Sequence, residues 1–374
     1  MAWLTRAHEK MQRIHHKAFL PIALDVPLRA FGQVIFCNSP ISGAGILAAL
    51  LYADSWLAVL ALLGSLSASL TAHLGQVSQL QSGLAGYNGV LVGCGFATFL
   101  KYKAWTWQPV LATGFASVAS VLISLAMTVM SKTPIWTFPF NLVLMCTLMY
   151  TLPLDNSSVP EDGGVDLTIT DLFMAVPTGV SQIFVVNNWI SGVILTLSLT
   201  VYSPLLSAFC LLGSLLGAAT AAATQANPSH IASGLCGYNP ALTACAVCTF
   251  FQPTKEVLVL LILSSTFTQI LALGLSRAAM MLKIPVGTLP FCIAATFTYM
   301  LLGQVRGCKT SQGNAENEAG PSPDKIDVTG TSNEHPAAHG TPMSLFVDTS
   351  VDTVELNVGI DNVAFNERTP YLSP

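Results

Sequence analysis

Apolar residues in this chain run in long unbroken stretches, without the alternation or single-faced periodicity of soluble elements. A spanning helix takes about 20 such residues. Windows of that length lie near 34–53, 56–75, 83–100, 107–131 and 134–152. A second group lies near 172–200, 204–224, 232–251, 256–282 and 285–303. The pattern predicts five crossings and then five more. "DNSSVPEDGGVD" separates the two groups as a polar, turn-rich linker. Beyond Arg306 the sequence turns to Ser, Gly, Pro and charge, as in "CKTSQGNAENEAGPSPDKIDVTG". Such a segment cannot bury enough apolar surface to order itself. The expected organisation is an N-terminal segment 1–24, a membrane repeat 25–152, a linker 153–171, a second membrane repeat 172–303 and a disordered tail 304–374.

The two groups match each other residue by residue. "QVIFCNSPISG" at 33–43 returns as "QIFVVNNWISG" at 182–192, pairing Gln33 with Gln182 at a separation of 149. "SGLAGYN" at 82–88 returns as "SGLCGYN" at 233–239, and "KTPIWTFPF" at 132–140 as "KIPVGTLPF" at 283–291, both at a separation of 151. The chain is an internal duplication. Because each copy crosses an odd number of times, the second starts on the opposite side and must be inverted. Inverted repeats carry a pseudo-two-fold axis in the membrane plane and bring paired motifs together near the midplane. The predicted fold is all-α: two inverted repeats, each interrupted by broken or half-length helices at Pro40, Pro139 and Pro290 and at glycine-rich turns.

Composition agrees. Hydrophobic residues make up 52% of the 374 and charged ones only 9%, against roughly a quarter charged in soluble domains. The charges avoid the interior: there is no Asp or Glu between Asp54 and Asp155 or between Asp171 and Glu256, and no Lys or Arg between Lys132 and Lys255. A net charge of −4 without a basic stripe argues against nucleic acid as a partner. Cys245 and Cys248 have CxxC spacing but no second pair, so a zinc or redox site is not expected. No cofactor is implied. Arg6, Lys10, Arg13 and Lys17 flank no apolar core of signal-peptide type. Together with Arg29 they precede the first window, which predicts a cytoplasmic N-terminus, an external linker and a cytoplasmic tail. The external linker holds the sequon Asn156-Ser-Ser, a candidate glycosylation site.

Each copy sends the same polar set toward the midplane: an amide (Gln33, Gln182), a tyrosine one helical turn before a leucine (Tyr87 and Leu91; Tyr238 and Leu242), and a threonine shortly before a proline (Thr137, Thr288). Any one of these could be interhelical glue. Their joint recurrence at matched positions favours a shared path. Asn38 and Asn187 read as caps of helix ends, Lys132 and Lys283 as interfacial anchors, and His73 and His230 as loop-proximal residues rather than ligands. Uncharged acceptors between apolar walls suit a neutral, flat, donor-rich solute such as urea, while the lack of a deep acid or base argues against ion coupling. Residue chemistry alone leaves urea as one candidate among small neutral solutes.

At these motifs the chain resembles the urea transporter family. The blocks are "QVIFCNSPISG", "SGLAGYNGVLVG" and "WTFPFN", then "QIFVVNNWISG", "SGLCGYNPAL" and "GTLPF", over about 25–303. The resemblance implies a channel-like passive urea pore in each protomer of a homotrimer, with ten spanning and two half-spanning helices. It implies urea-binding roles for Gln33 and Gln182. It also implies flat slots lined by Val34, Phe36, Tyr87 and Leu91 and by Ile183, Val185, Tyr238 and Leu242, and central acceptors at Thr137 and Thr288. The chain departs from the family at Trp189 and Ser39, and at Val185 opposite Phe36, which predicts two unequal slots. The rival readings are a channel of this fold for ammonia, water or another amide, an ion-coupled transporter, and a membrane anchor acting through its tail.

Overall fold

The computed structural model describes residues 20–77, 80–100, 104–131, 133–151 and 167–304. The N-terminal 19 residues, Lys132, the linker with Asn156 and the tail lie outside the described residues. The first repeat comprises α1 (Ile22–Gln33), α2 (Pro40–Ala53), α3 (Ser55–Leu74), α4 (Tyr87–Phe99), α5 (Trp107–Met130) and α6 (Phe138–Thr151). The second comprises α7 (Ile169–Ser181), α8 (Trp189–Tyr202), α9 (Pro204–Ala223), the short α10 (Pro228–Ala232), α11 (Tyr238–Phe250), α12 (Lys255–Met281) and α13 (Leu289–Gln304).

Among the described residues four helices, α3, α5, α9 and α12, are long and apolar enough to cross a membrane singly. The predicted windows at 34–53 and 172–200 do not form single helices. Residues 169–202 fold as α7 and α8, bent by 77° across the break, and residues 22–53 as α1 and α2. The windows at 83–100 and 232–251 shorten in the same way: α4 and α11 have 13 residues each, about 20 Å of helix against a hydrocarbon core of about 30 Å. Apolar composition marked these segments as buried; it did not mark where backbone hydrogen bonding stops.

Local chemistry accounts for the stops. Pro40 stands at the first position of α2, where its missing N–H costs nothing. Ser39 is therefore the N-cap, its Oγ accepting from the Ser42 N–H at 3.2 Å. In the second repeat Asn188 caps α8, accepting from the N–H groups of Ile190 (2.9 Å) and Ser191 (3.1 Å). The caps expected at Asn38 and Asn187 thus fall one residue later, because the cap must directly precede the first helical residue. Gly43 and Gly192 let each broken pair close: a Cβ at Gly43 would lie 1.8 Å from the Leu28 carbonyl oxygen, and one at Gly192 1.9 Å from that of Pro177.

The freed Asn38 has another task. Arg29 is 2% exposed and Asp25 3%. The Arg29 Nε donates to Asp25 Oδ2 at 2.5 Å, and its Nη1 to Asn38 Oδ1 at 2.8 Å and the Asn38 carbonyl at 3.2 Å. Arg29 therefore cannot serve as an exposed flanking charge, and the first repeat is not free of buried ionisable groups. A guanidinium with several buried acceptors can tie one helix to the loop that follows it. The second repeat does the same without charge. Met174 and Thr178 stand in the places of Asp25 and Arg29, and Ser181 Oγ lies 2.8 Å from the Val186 carbonyl and 3.0 Å from that of Asn188.

The repeats meet through their own counterparts: α2 packs on α8, and α6 touches α13. Most directly, Thr137 Oγ1 lies 2.6 Å from Thr288 Oγ1. Residues that touch their own counterparts sit on a two-fold axis. The pseudo-axis therefore passes between these two hydroxyls.

Candidate functional site

The break in each repeat turns through a residue in the left-handed region, Phe36 (φ 58°) in the first and Val185 (φ 62°) in the second. Bulky and β-branched side chains rarely adopt this conformation, and strain of this kind collects where a side chain must be aimed. Both line a cavity. The approach to the central threonines repeats the device, with Trp136 at φ 50° and Gly287 at φ 58°.

Two cavities meet this arrangement, each touching one threonine of the central pair. The smaller, about 280 Å³, is walled by Val34, Phe36, Tyr87 and Thr137 of the first repeat and by Phe250 and Phe291 of the second. The larger, about 590 Å³, is walled by Gln182, Ile183, Val185, Tyr238 and Thr288 of the second repeat and by Phe99 and Phe140 of the first. Phe99 corresponds to Phe250 and Phe140 to Phe291, so each repeat lends the other the same two rings. Sequence reasoning did not single these out. Their signal was the 151-residue separation, legible in "TFPF" against "TLPF" and in "ATF" against "CTF".

The structure thus gathers nine of the twelve expected site residues on cavity walls. Leu91 and Leu242 are fully buried and are not part of either lining. Gln33 lines neither cavity: its Nε2 donates to the Ser82 carbonyl at 2.8 Å, as Gln182 Nε2 does to the Ser233 carbonyl at 2.8 Å. A carbonyl can only accept, so these bonds consume amide N–H and assign Oε1, an acceptor, to the remaining direction. Each tyrosine is held likewise. Tyr87 OH donates to the Trp136 carbonyl, and Tyr238 OH to the Gly287 carbonyl at 2.6 Å. Asn88 ties α4 to α6 and Asn239 ties α11 to α13, each accepting a backbone N–H at 3.3 Å from Phe140 and Phe291 respectively.

At the axis the symmetry breaks. Asn141 Nδ2 donates to Thr288 Oγ1 at 2.9 Å and its Oδ1 accepts the Thr288 N–H at 2.9 Å, whereas the counterpart of Asn141 is Cys292, whose Sγ lies 3.2 Å from Thr137 Oγ1. The centre is polar, nearly dry and uncharged: Thr137 and Thr288 are each 3% exposed. Buried hydroxyls are tolerable when paired, and here each has a partner.

Among the described residues no Asp or Glu lines either cavity; Arg277 and His230 stand on the wall of the larger one. Paired cavities on a pseudo-two-fold axis, meeting at one uncharged polar contact between apolar helices, are the architecture of an inverted-repeat membrane protein. The urea transporter family's sequence profile matches residues 24–303. Urea transporter 1 of Ovis aries is 32% identical over 296 residues, 75% of this chain and 77% of that protein. Urea transporter 1 of Rattus norvegicus is 31% identical over 295 residues with the same coverage. The chain belongs to the urea transporter family, a family of transporters and not of enzymes.

Proposed function

We propose that the protein passes urea down its gradient across the plasma membrane, through a path in each protomer of a homotrimer, without coupling to ions. The observation that carries this reading is the pair of cavities converging on Thr137 and Thr288. Urea is flat, electroneutral and rich in N–H donors. Gln33 and Gln182 each hold a backbone carbonyl with one amide N–H and offer the solute the amide oxygen, and aromatic and aliphatic side chains limit the thickness of what enters. The two threonine hydroxyls hold one bond between them. A solute arriving there exchanges that bond for contacts with each hydroxyl, so it is neither trapped nor stripped of partners. Carboxylate-free walls among the described residues favour an uncoupled path over an ion-coupled one.

A cytoplasmic N-terminus puts the linker outside. The broken α7–α8 pair and α9 then make two crossings and return the chain outside at Thr224–His230, on the wall of the larger cavity. The larger cavity accordingly faces outward, the smaller one faces the cytoplasm, and the tail is cytoplasmic. Purified protein in liposomes tests the whole reading. Urea flux should be fast and unchanged when ion gradients are collapsed, and should exceed that of thiourea measured alongside. Ion-dependent accumulation above the bath concentration would reject it.

A further inference from the structure

Two neighbouring positions on the wall of the larger cavity are polar where the first repeat carries hydrocarbon. Cys236 stands where the first repeat has Ala85, and Gln269 of α12 where it has Val118. Cys236 and Gln269 both line the larger cavity, while Ala85 lines the smaller one. Among the described cysteines Cys236 alone reaches either of these cavities; Cys210 and Cys245 are buried and line neither.

The backbone of Cys236 is fixed against α9: its carbonyl packs on Gly217, where an added Cβ would lie 2.2 Å from the oxygen. Its thiol lies beside the Gln269 amide. Gln269 is 1% exposed, and its Oε1 has no hydrogen-bond partner. A buried acceptor left unpaired carries a desolvation penalty, which an N–H arriving beside it relieves. The pair therefore suits a group that attaches at sulfur and brings N–H donors with it.

Urea is a source of such a group. In water it stands in slow equilibrium with ammonium and cyanate, and cyanate with isocyanic acid, a small neutral molecule electrophilic at carbon. We propose that Cys236 is a covalent modification site for isocyanic acid. Sγ, in its thiolate form, adds to the carbon of HN=C=O. An S–C bond forms, the C=N π bond breaks, and the proton given up by sulfur ends on nitrogen. The product is a thiocarbamate, Sγ–C(O)–NH2, formed without a leaving group and without oxidation or reduction. Its NH2 donates to Gln269 Oε1. The carbamoyl group projects into the larger cavity and slows urea, a consequence that rests on the proposal that this cavity lies on the urea path. The addition reverses when isocyanic acid is withdrawn, so the site follows the cyanate that a urea-rich medium accumulates. Ala85 has no nucleophile and Val118 no acceptor, so the smaller cavity lacks the site.

The test incubates the purified protein with potassium cyanate and reads the carbamoyl gain at each cysteine by peptide mass spectrometry. Cys236 should be modified at least tenfold faster than Cys210 or Cys245. After transfer to cyanate-free buffer, Gln269→Val should shed the group about tenfold faster than the unaltered protein, the loss of roughly one hydrogen bond; Gln269→Leu serves if that variant does not fold. In liposomes, cyanate treatment should slow stopped-flow urea efflux at least twofold. Cys236→Ala, or Cys236→Ser if alanine does not fold, should give the same efflux with and without treatment, which separates this thiol from the lysines that cyanate also modifies. Absence of the adduct, or an adduct formed no faster than at Cys210 and Cys245, overturns the proposal. So does a reversal rate indifferent to Gln269, or an efflux indifferent to full modification of Cys236. If the untreated protein moves no urea, the transport reading fails separately, and the mass measurements alone decide the modification.

Discussion

Thr137 and Thr288 share a bond that neither could make with a valine, and each also satisfies a neighbour that has few alternatives. Replacing Thr288 by Val strips Asn141 Nδ2 of one acceptor and leaves Thr137 Oγ1 with the Cys292 thiol alone. At about 1.4 kcal/mol for one lost bond, urea flux should fall roughly tenfold with surface expression retained. On the proposed role of Gln33, Gln33→Leu should act in the same direction, since Leu offers no amide oxygen. Unchanged flux in both variants would return these groups to a purely structural role. Arg29 obeys different arithmetic. Arg29→Thr leaves Asp25 buried without its cation and should cost about 3–5 kcal/mol, read as thermal unfolding in detergent. Adding Asp25→Met to it copies the solution at Met174 and Thr178 and should restore most of that loss. Much of this was legible beforehand. The duplication itself marked the threonines, tyrosines and glutamines. The Asp25–Arg29 pair was not recognised, because a charge near the end of an apolar window looks the same whether it points to water or folds inward.

Among the elements, the broken helix pairs decide where side chains are aimed. Their closeness depends on glycines whose missing Cβ is occupied by a neighbouring backbone. Gly192→Ala forces α7 and α8 apart and should destabilise the protein by about 1–3 kcal/mol. Gly274→Ala on α12 provides the contrast: nothing lies within 4 Å of its added Cβ, so unfolding should be unchanged or shifted slightly upward, since alanine suits a helix better. Element type was readable from apolar length, and the break was announced by Asn38-Ser39-Pro40. Its position in the second repeat was harder to see, because Trp189 stands where Pro40 does and remains largely outside the core at 46% exposed. The cap there is Asn188, and an asparagine pair does not declare which member caps. The walls were also only half legible. Hydrophobic pattern assigns a phenylalanine to the interior, but only the pseudo-axis shows that Phe99 and Phe140 belong to the cavity of the opposite repeat.

For the whole molecule, inversion is the consequence with the widest reach. On the proposed topology, with an odd number of crossings per repeat, the linker lies across the membrane from both termini. In mammalian cells Asn156 should then carry a glycan, seen as a gain in electrophoretic mobility after treatment with peptide N-glycosidase and lost in Asn156→Gln. An epitope at the N-terminus should be reached by antibody only after permeabilisation. An unchanged mobility together with an accessible N-terminus would reverse the proposed orientation, and with it the face on which the larger cavity opens.

Elsewhere the two copies have been free to drift, one keeping a guanidinium where the other has a hydroxyl, one a tryptophan where the other has a glycine. Even beside the axis Asn141 and Cys292 differ, but the two threonines themselves do not. Thr137 is the surroundings of Thr288 and the reverse, so a change in either is at once a change in the other's neighbourhood. Variation at this one point must be a joint event, and a descendant of this chain that remodels its centre will have to do so in both halves together.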